Sequence, residues 1–190
     1  MLREPRKQKT KELIVHTAVQ LFKEKGYDNV TVEEITLLCG IAKGTFFNYF
    51  PKKENILLHV GSSYTELLSG IMSRHSEGHP RERLMAIFRD LLHLYVKHSG
   101  LLRLVLIESI KSASNSSNLS VFQDSIRGLL DEARESNAFR TTHDLNDCAS
   151  VLAAIFYQTL ISSSPNTQED EMIAELQRKI RTVWEGIADE

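Results

Sequence analysis

One stretch restricts the fold more than any other: Thr31 to Lys53, TVEEITLLCGIAKGTFFNYFPKK, reads as a helix, a turn at Gly40 and a second short helix that stops before Pro51. A threonine followed three residues later by glutamate is a helix-start signature. The Thr31 hydroxyl can cap free backbone N–H groups, and Glu34 is expected to complete a capping box. Glu33 and Glu34 also suit the positive end of the helix dipole. Ile35 and Leu38 lie about one turn apart, with Val32 one turn before Ile35, so this helix is expected to bury that face against a partner. Phe46, Tyr49 and Phe50 recur at spacings of three and four. Phe46 and Phe50 are expected to pack inward, which leaves Lys43, Gly44, Thr45, Phe47 and Asn48 facing outward or sideways.

A helix-turn-helix of this kind holds its second helix by one side and offers the other to the major groove of DNA. The outward residues suit that surface. Lys43 can meet guanine edges or phosphate, the Thr45 methyl and Phe47 ring can meet thymine methyls, Asn48 can hydrogen-bond a base, and Gly44 lets the backbone approach. The charge distribution agrees: residues 1–53 carry ten Lys/Arg and six Asp/Glu, whereas residues 54–190 carry 13 and 19, within an overall charge of −2. A basic head on an acidic body is what a chain shows when only its head meets phosphate. Arg3, Arg6, Lys7, Lys9 and Lys11 form the densest basic cluster, read as an arm that orders on DNA or as a solvated start.

The motifs occur in a fixed order: Lys25-Gly26-Tyr27, then Thr31-Val32-Glu33-Glu34-Ile35, then Gly40-Ile41-Ala42-Lys43-Gly44-Thr45, then Asn48-Tyr49-Phe50-Pro51-Lys52-Lys53-Glu54. In this the head resembles the DNA-binding domain of the TetR/AcrR family of transcriptional regulators. Two departures stand out. Ala42 replaces a common serine, which removes a side-chain cap from the recognition helix, and Phe47 replaces a common tyrosine, which removes a hydroxyl.

The resemblance implies an all-α chain. A three-helix DNA-binding domain with its basic arm spans 1–53, and a helical ligand-binding and dimerisation domain spans 54–190. It implies a phosphate contact at Lys53, at the start of the long helix after Pro51, and with it a phosphate grip from Thr31, Tyr49 and the arm. Base contact is assigned to Lys43, Gly44, Thr45, Phe47 and Asn48. It further implies a homodimer through the last two helices, a palindromic double-stranded DNA operator, and a small apolar or amphipathic effector that releases a repressor. Candidate effector contacts are Tyr64, Phe88, Tyr95, Arg103, Phe122, Phe156, Tyr157 and Gln158, since the pocket the family houses among its middle helices is mostly apolar with a few polar anchors.

With 190 residues, 42% of them hydrophobic, the chain can bury a substantial core, and four prolines and nine glycines favour helices. The first helix is expected over Lys9–Lys25, with Leu13, Ile14, Thr17, Ala18, Leu21 and Phe22 buried and Gly26 as a left-handed cap. A long helix to Arg74 carries Ile56, Leu57, Val60, Tyr64, Leu67, Leu68 and Ile71. After the HSEGHP loop, helices are expected over 81–98 and 101–112, separated by Ser99-Gly100. A polar loop at 112–118, often a mobile kind of segment, leads to a helix over 119–136. Asp144 reads as the next N-cap. The last two helices, 144–162 and 168–188, differ in kind: the first is apolar around more than half its circumference with small residues interspersed, so it requires cover on a second side.

No run of 18 apolar residues is present, and the charged start MLREPRKQKTKE lacks an apolar signal core, so a cytoplasmic protein with no membrane partner is expected. Cys39 and Cys148 have no metal-ligand spacing and are expected to be reduced. HExxH, CxxC, GxSxG and glycine-rich phosphate loops are absent, and the histidines share no helix face in a way that suits metal binding. The reading is therefore a non-enzyme without cofactor or metal. The alternative function is an architectural or partner-recruiting DNA-binding protein that uses no small-molecule ligand.

Overall fold

The computed structural model describes residues 3–111, 118–164 and 167–187. Among these residues the regular structure is helical throughout: α1 (Arg3–Lys25), α2 (Val32–Cys39), α3 (Lys43–Phe47), α4 (Glu54–Arg74), α5 (Pro80–Lys97), α6 (Ser99–Lys111), α7 (Asn118–Glu135), α8 (Leu145–Ser162) and α9 (Glu169–Ile187), with a short 3-10 turn at Tyr27–Asn29. None of these helices is long and apolar enough to cross a membrane. Residues 112–117, most of the expected polar loop, lie outside the described residues, as does the expected end of the last helix at Ala188.

The chain divides into two compact units, Met1–Ser62 with Gly100–Glu108, and Ser63–Ser99 with Ser109–Glu190. The boundary expected between 53 and 54 falls within the first unit. The reason is in the core of the head, where Ile14, Ala18, Leu21 and Phe22 of α1, Val30, Ile35 of α2, and Phe46 and Phe50 are joined by Ile56 and Leu57 of α4 and by Leu101 and Val105 of α6.

Several local expectations are corrected. Helix α1 starts at Arg3 rather than Lys9, so the basic cluster is its opening turns; Pro5 is tolerated there because first-turn N–H groups have no intrahelical partner. Leu13 is 45% exposed, because the buried stripe centres on Ile14, Ala18 and Leu21 and Leu13 lies off its edge. In α2 the inward row is Val32, Ile35, Thr36 and Cys39, the i, i+3, i+4, i+7 set, with Ile35 and Thr36 buried and Val32 and Cys39 half-buried. Leu38 falls out of that row and is 62% exposed, beside Leu37 at 81%. Gly26 has positive φ (80°) with extended ψ (147°), so it opens the 3-10 turn rather than capping α1 in the left-handed helical region. Ser99 and Gly100 form the first turn of α6 instead of a separator, with only His98 between α5 and α6.

In the second unit α8 packs against both α7 and α9. Leu129, Leu130, Leu152, Leu176 and Ile180 are buried there with Trp184. Leu67 of α4, expected inward, is 49% exposed. Asp144 caps α8 as expected: its carboxylate accepts from the N–H groups of Asn146 (2.7 Å) and Asp147 (3.3 Å). These bonds hold its carboxyl below the usual carboxylate range.

Candidate nucleic-acid interface

The reader helix is positioned by two local devices. Thr31 is in extended backbone and its hydroxyl accepts from the Glu34 N–H at 3.2 Å, fixing the start of α2. The other half of the capping box is not made, because the Glu34 carboxylate pairs with Lys25 at the end of α1. That pair draws Lys25 above its ordinary pKa. At the far end of α2, Gly40 takes the left-handed conformation (φ 64°, ψ 33°), and the Ile41 N–H turns back to the Thr36 carbonyl at 3.0 Å. A side chain at Gly40 is strained by that φ, which is why glycine occupies the turn.

Helix α3 is short, and Ala42, the residue before it, supplies no side-chain cap. It is held from beneath: Phe46 is fully buried and Phe50 is 3% exposed, their ring centroids 6.0 Å apart. Lys43, Gly44, Phe47 and Asn48 are exposed, while Thr45 and Tyr49 are half-buried. The Phe47 ring is 44% exposed and meets Phe46 edge-on at 5.5 Å. An added Cβ at Gly44 would meet nothing within 4 Å, so the backbone there is open to an approaching surface.

The lysines are already engaged. Lys43 pairs with Glu33 in the first turn of α2, and this contact holds the Glu33 carboxyl below its ordinary range. Lys53 is half-buried; its ammonium donates to the carbonyls of Tyr27 and Val30, both at 2.8 Å, and stands 4.1 Å from the centre of the Tyr27 ring. An ammonium has three donors, and these carbonyls take two of them. The Tyr27 hydroxyl is buried, and burial pushes its pKa well above the ordinary tyrosine range, with the nearby Glu54 carboxylate and then Glu108 adding to the effect. On α1, Arg6, Lys7 and Lys9 are exposed, whereas Lys11 is half-buried with its ammonium 5.8 Å over the Phe50 ring. Burial, with the nearby Lys11 charge, lowers the pKa of His59, whose ring lies 5.8 Å from Phe50.

Sequence reasoning used Glu33 only for the helix dipole. Its tie to Lys43 spans ten residues and a turn, beyond any helix-spacing rule. The same applies to Lys53, whose carbonyl partners lie 23 and 26 residues away.

The effector candidates do not form one lining. Phe88, Phe122, Phe156 and Tyr157 touch one another, with centroids 4.8 Å apart for Phe88 and Phe156 and 5.3 Å for Phe122 with Phe156 and with Tyr157. Burial raises the Tyr157 pKa well above its ordinary value and, more modestly, that of half-buried Tyr64. Tyr95 is buried and its hydroxyl donates to the Leu160 carbonyl at 2.9 Å. Gln158 is exposed and accepts from Lys179. Arg103, half-buried on α6, belongs to the first unit. A cleft of about 420 Å³ in the second unit is lined by none of these residues; Leu67, Ile71, Arg74, Arg89, His93 and Leu94 are among its walls. Among the described residues no group of three or more His, Cys, Asp or Glu side chains is placed to hold a metal ion. Cys39 and Cys148 are free thiols, half-buried and buried respectively.

Residues 14–60 match the family described as bacterial regulatory proteins, tetR family. The HTH-type transcriptional regulator YuxN of Bacillus subtilis (strain 168), itself uncharacterized, is 34% identical over 87 residues, 43% of this chain and 30% of that protein. The HTH-type transcriptional repressor NemR of Escherichia coli (strain K12) is 27% identical over 153 residues, 75% of each chain. The first curated relatives are matched over about a third of their own length. Over nearly the whole chain the fold is similar to the crystal structure of Thermus thermophilus FadR, a TetR-family transcriptional repressor in complex with lauroyl-CoA. The TM-score is 0.74 at 25% identity, over 95% of this chain and 96% of that one.

Proposed function

We propose that this chain, whose residues 14–60 match the tetR family of bacterial regulatory proteins, is a dimeric repressor of that family that binds a palindromic DNA operator and is released by a small apolar or amphipathic effector. The observation that carries this reading is the head itself: a five-residue α3 seated on buried Phe46 and Phe50, presenting Lys43, Gly44, Phe47 and Asn48 outward. A helix so held enters a major groove without rearrangement of its core. Lys43, Gly44, Thr45, Phe47 and Asn48 meet base edges. Thr31, Tyr49, the exposed Arg6, Lys7 and Lys9, and Lys53 meet phosphate.

Two features support the rest of the reading. Helix α8 leaves Val151 (44%) and Ile161 (39%) exposed, with exposed Ala154 between them on the same face, and pairing with a second copy buries them. The interior of the body contains an aromatic cluster among aliphatic side chains, so an effector entering there parts rings already in contact, which favours an apolar or amphipathic molecule over a strongly polar one. The reading is tested by selecting purified protein against a pool of random duplexes at moderate salt and sequencing what is retained. An enriched palindrome is expected, with binding whose log-log salt slope is about −0.9 per phosphate neutralised. No enrichment, or affinity independent of salt, overturns it.

A further inference from the structure

We propose that Glu33 is a specificity-determining residue of the head, keeping Lys43 from gripping phosphate while leaving it free to read a base edge. The inference rests on the DNA-binding reading above.

Lys43 and Glu33 form an ion pair across the Gly40 turn, between the first residue of α3 and the first turn of α2. Both are open to solvent, with side-chain exposures of 53% and 63%, so Lys43 is free to exchange or share its partner. What it can share with depends on charge. A guanine edge offers two neutral acceptors, O6 and N7. The ammonium has three donors, enough to meet both and keep the Glu33 carboxylate. A phosphate is an anion. Bringing it to the same ammonium places two negative groups side by side, and moving Lys43 across to it leaves Glu33 unpaired against the DNA backbone. The pair therefore admits neutral base acceptors and disfavours the phosphate grip available on any sequence. Glu34, one residue on, supplies an internal comparison: it carries the same charge in the same turn, but its partner is Lys25.

The test measures affinity for two duplexes, one enriched by the wild-type protein from a random pool and one of the same composition scrambled, across a salt series. Glu33→Gln is expected to tighten binding to the scrambled duplex about fivefold at 0.1 M salt and to steepen its log-log salt slope by about 0.9, as one more phosphate is neutralised. Affinity for the enriched duplex changes less, so the specificity ratio falls. Glu33→Ala repeats this, Glu34→Gln does not, and in a Lys43→Ala background Glu33→Gln has no effect on the ratio. Thermal midpoints within a few degrees of wild type show that the variants are folded. An unchanged ratio in both Glu33 variants, or an equal fall in Glu34→Gln, overturns the inference while leaving the DNA-binding reading intact. A wild-type protein that enriches no duplex overturns both.

Discussion

Replacing Lys53 with methionine keeps an unbranched side chain one atom shorter and removes its charge, which takes away the donor without opening a large gap. The ammonium donates to two backbone carbonyls at 2.8 Å and faces the Tyr27 ring at 4.1 Å. Hydrogen bonds from a charged donor contribute about 1.5 kcal/mol each at the low end, the end appropriate to a half-buried site, and a cation over a tyrosine ring adds about 0.5 kcal/mol. The loss is therefore about 3.5 kcal/mol, since the 27–30 turn is no longer tied to the start of α4. In a chain of this size each kcal/mol moves the thermal midpoint by about 2–4 °C, so Lys53→Met is expected to lower it by about 7–14 °C. Circular dichroism during heating measures this, with Lys43→Ala as reference. Lys43 is exposed and holds only a surface ion pair, worth about 1 kcal/mol at most, so its midpoint shifts by no more than about 4 °C. In DNA binding the order reverses: Lys43→Ala relaxes sequence preference, and Lys53→Met weakens enriched and scrambled duplexes alike. An unchanged midpoint in Lys53→Met refutes the bracing argument.

Other expectations follow from the same geometry. Thr31→Ala removes the cap on α2 and lowers stability by about 1 kcal/mol in denaturant titration, with Thr31→Ser restoring most of it. Asp144 has a folded-state pKa below its unfolded value, so its stabilising effect is present above the ordinary carboxylate pKa and is lost as pH falls through the folded value. Asp144→Asn therefore unfolds more easily than wild type at neutral pH, and the gap closes in acid; a gap independent of pH contradicts this. Val151→Asp places a charge on the exposed apolar face of α8, and sedimentation is expected to show monomers with undiminished helix content.

Much of the architecture was legible because helices in this chain announce themselves. Periodicity located the long helices, Asp144 marked the start of α8, and the three-and-four spacing of Phe46 and Phe50 gave the buried side of α3. The misses have physical causes. In α2 a spacing of three was followed once too often, and after two steps the row drifts off the buried face, so Cys39 rather than Leu38 lies in line with Ile35. Counting the basic residues as an arm overlooked that Pro5 is harmless in a first turn. The return of Leu101 and Val105 to the head core from the middle of the chain has no local signal in the sequence. In the site, the residue types facing outward on α3 were readable from spacing, but their partners were not. Glu33 with Lys43, and Lys53 with the Tyr27 and Val30 carbonyls, are tertiary pairings. The aromatic residues of the body were legible as a set, whereas their mutual contact was settled only by how α5, α7 and α8 pack.

The most direct test of the central claim is methylation protection on the enriched duplex, because dimethyl sulfate reports guanine N7 in the major groove. If one α3 of each protomer enters a groove, guanines are protected in two successive major grooves about 10 base pairs apart, and Lys43→Ala removes protection within each half-site. Protection that is absent from the major groove, or that is unaffected by Lys43→Ala, contradicts the account.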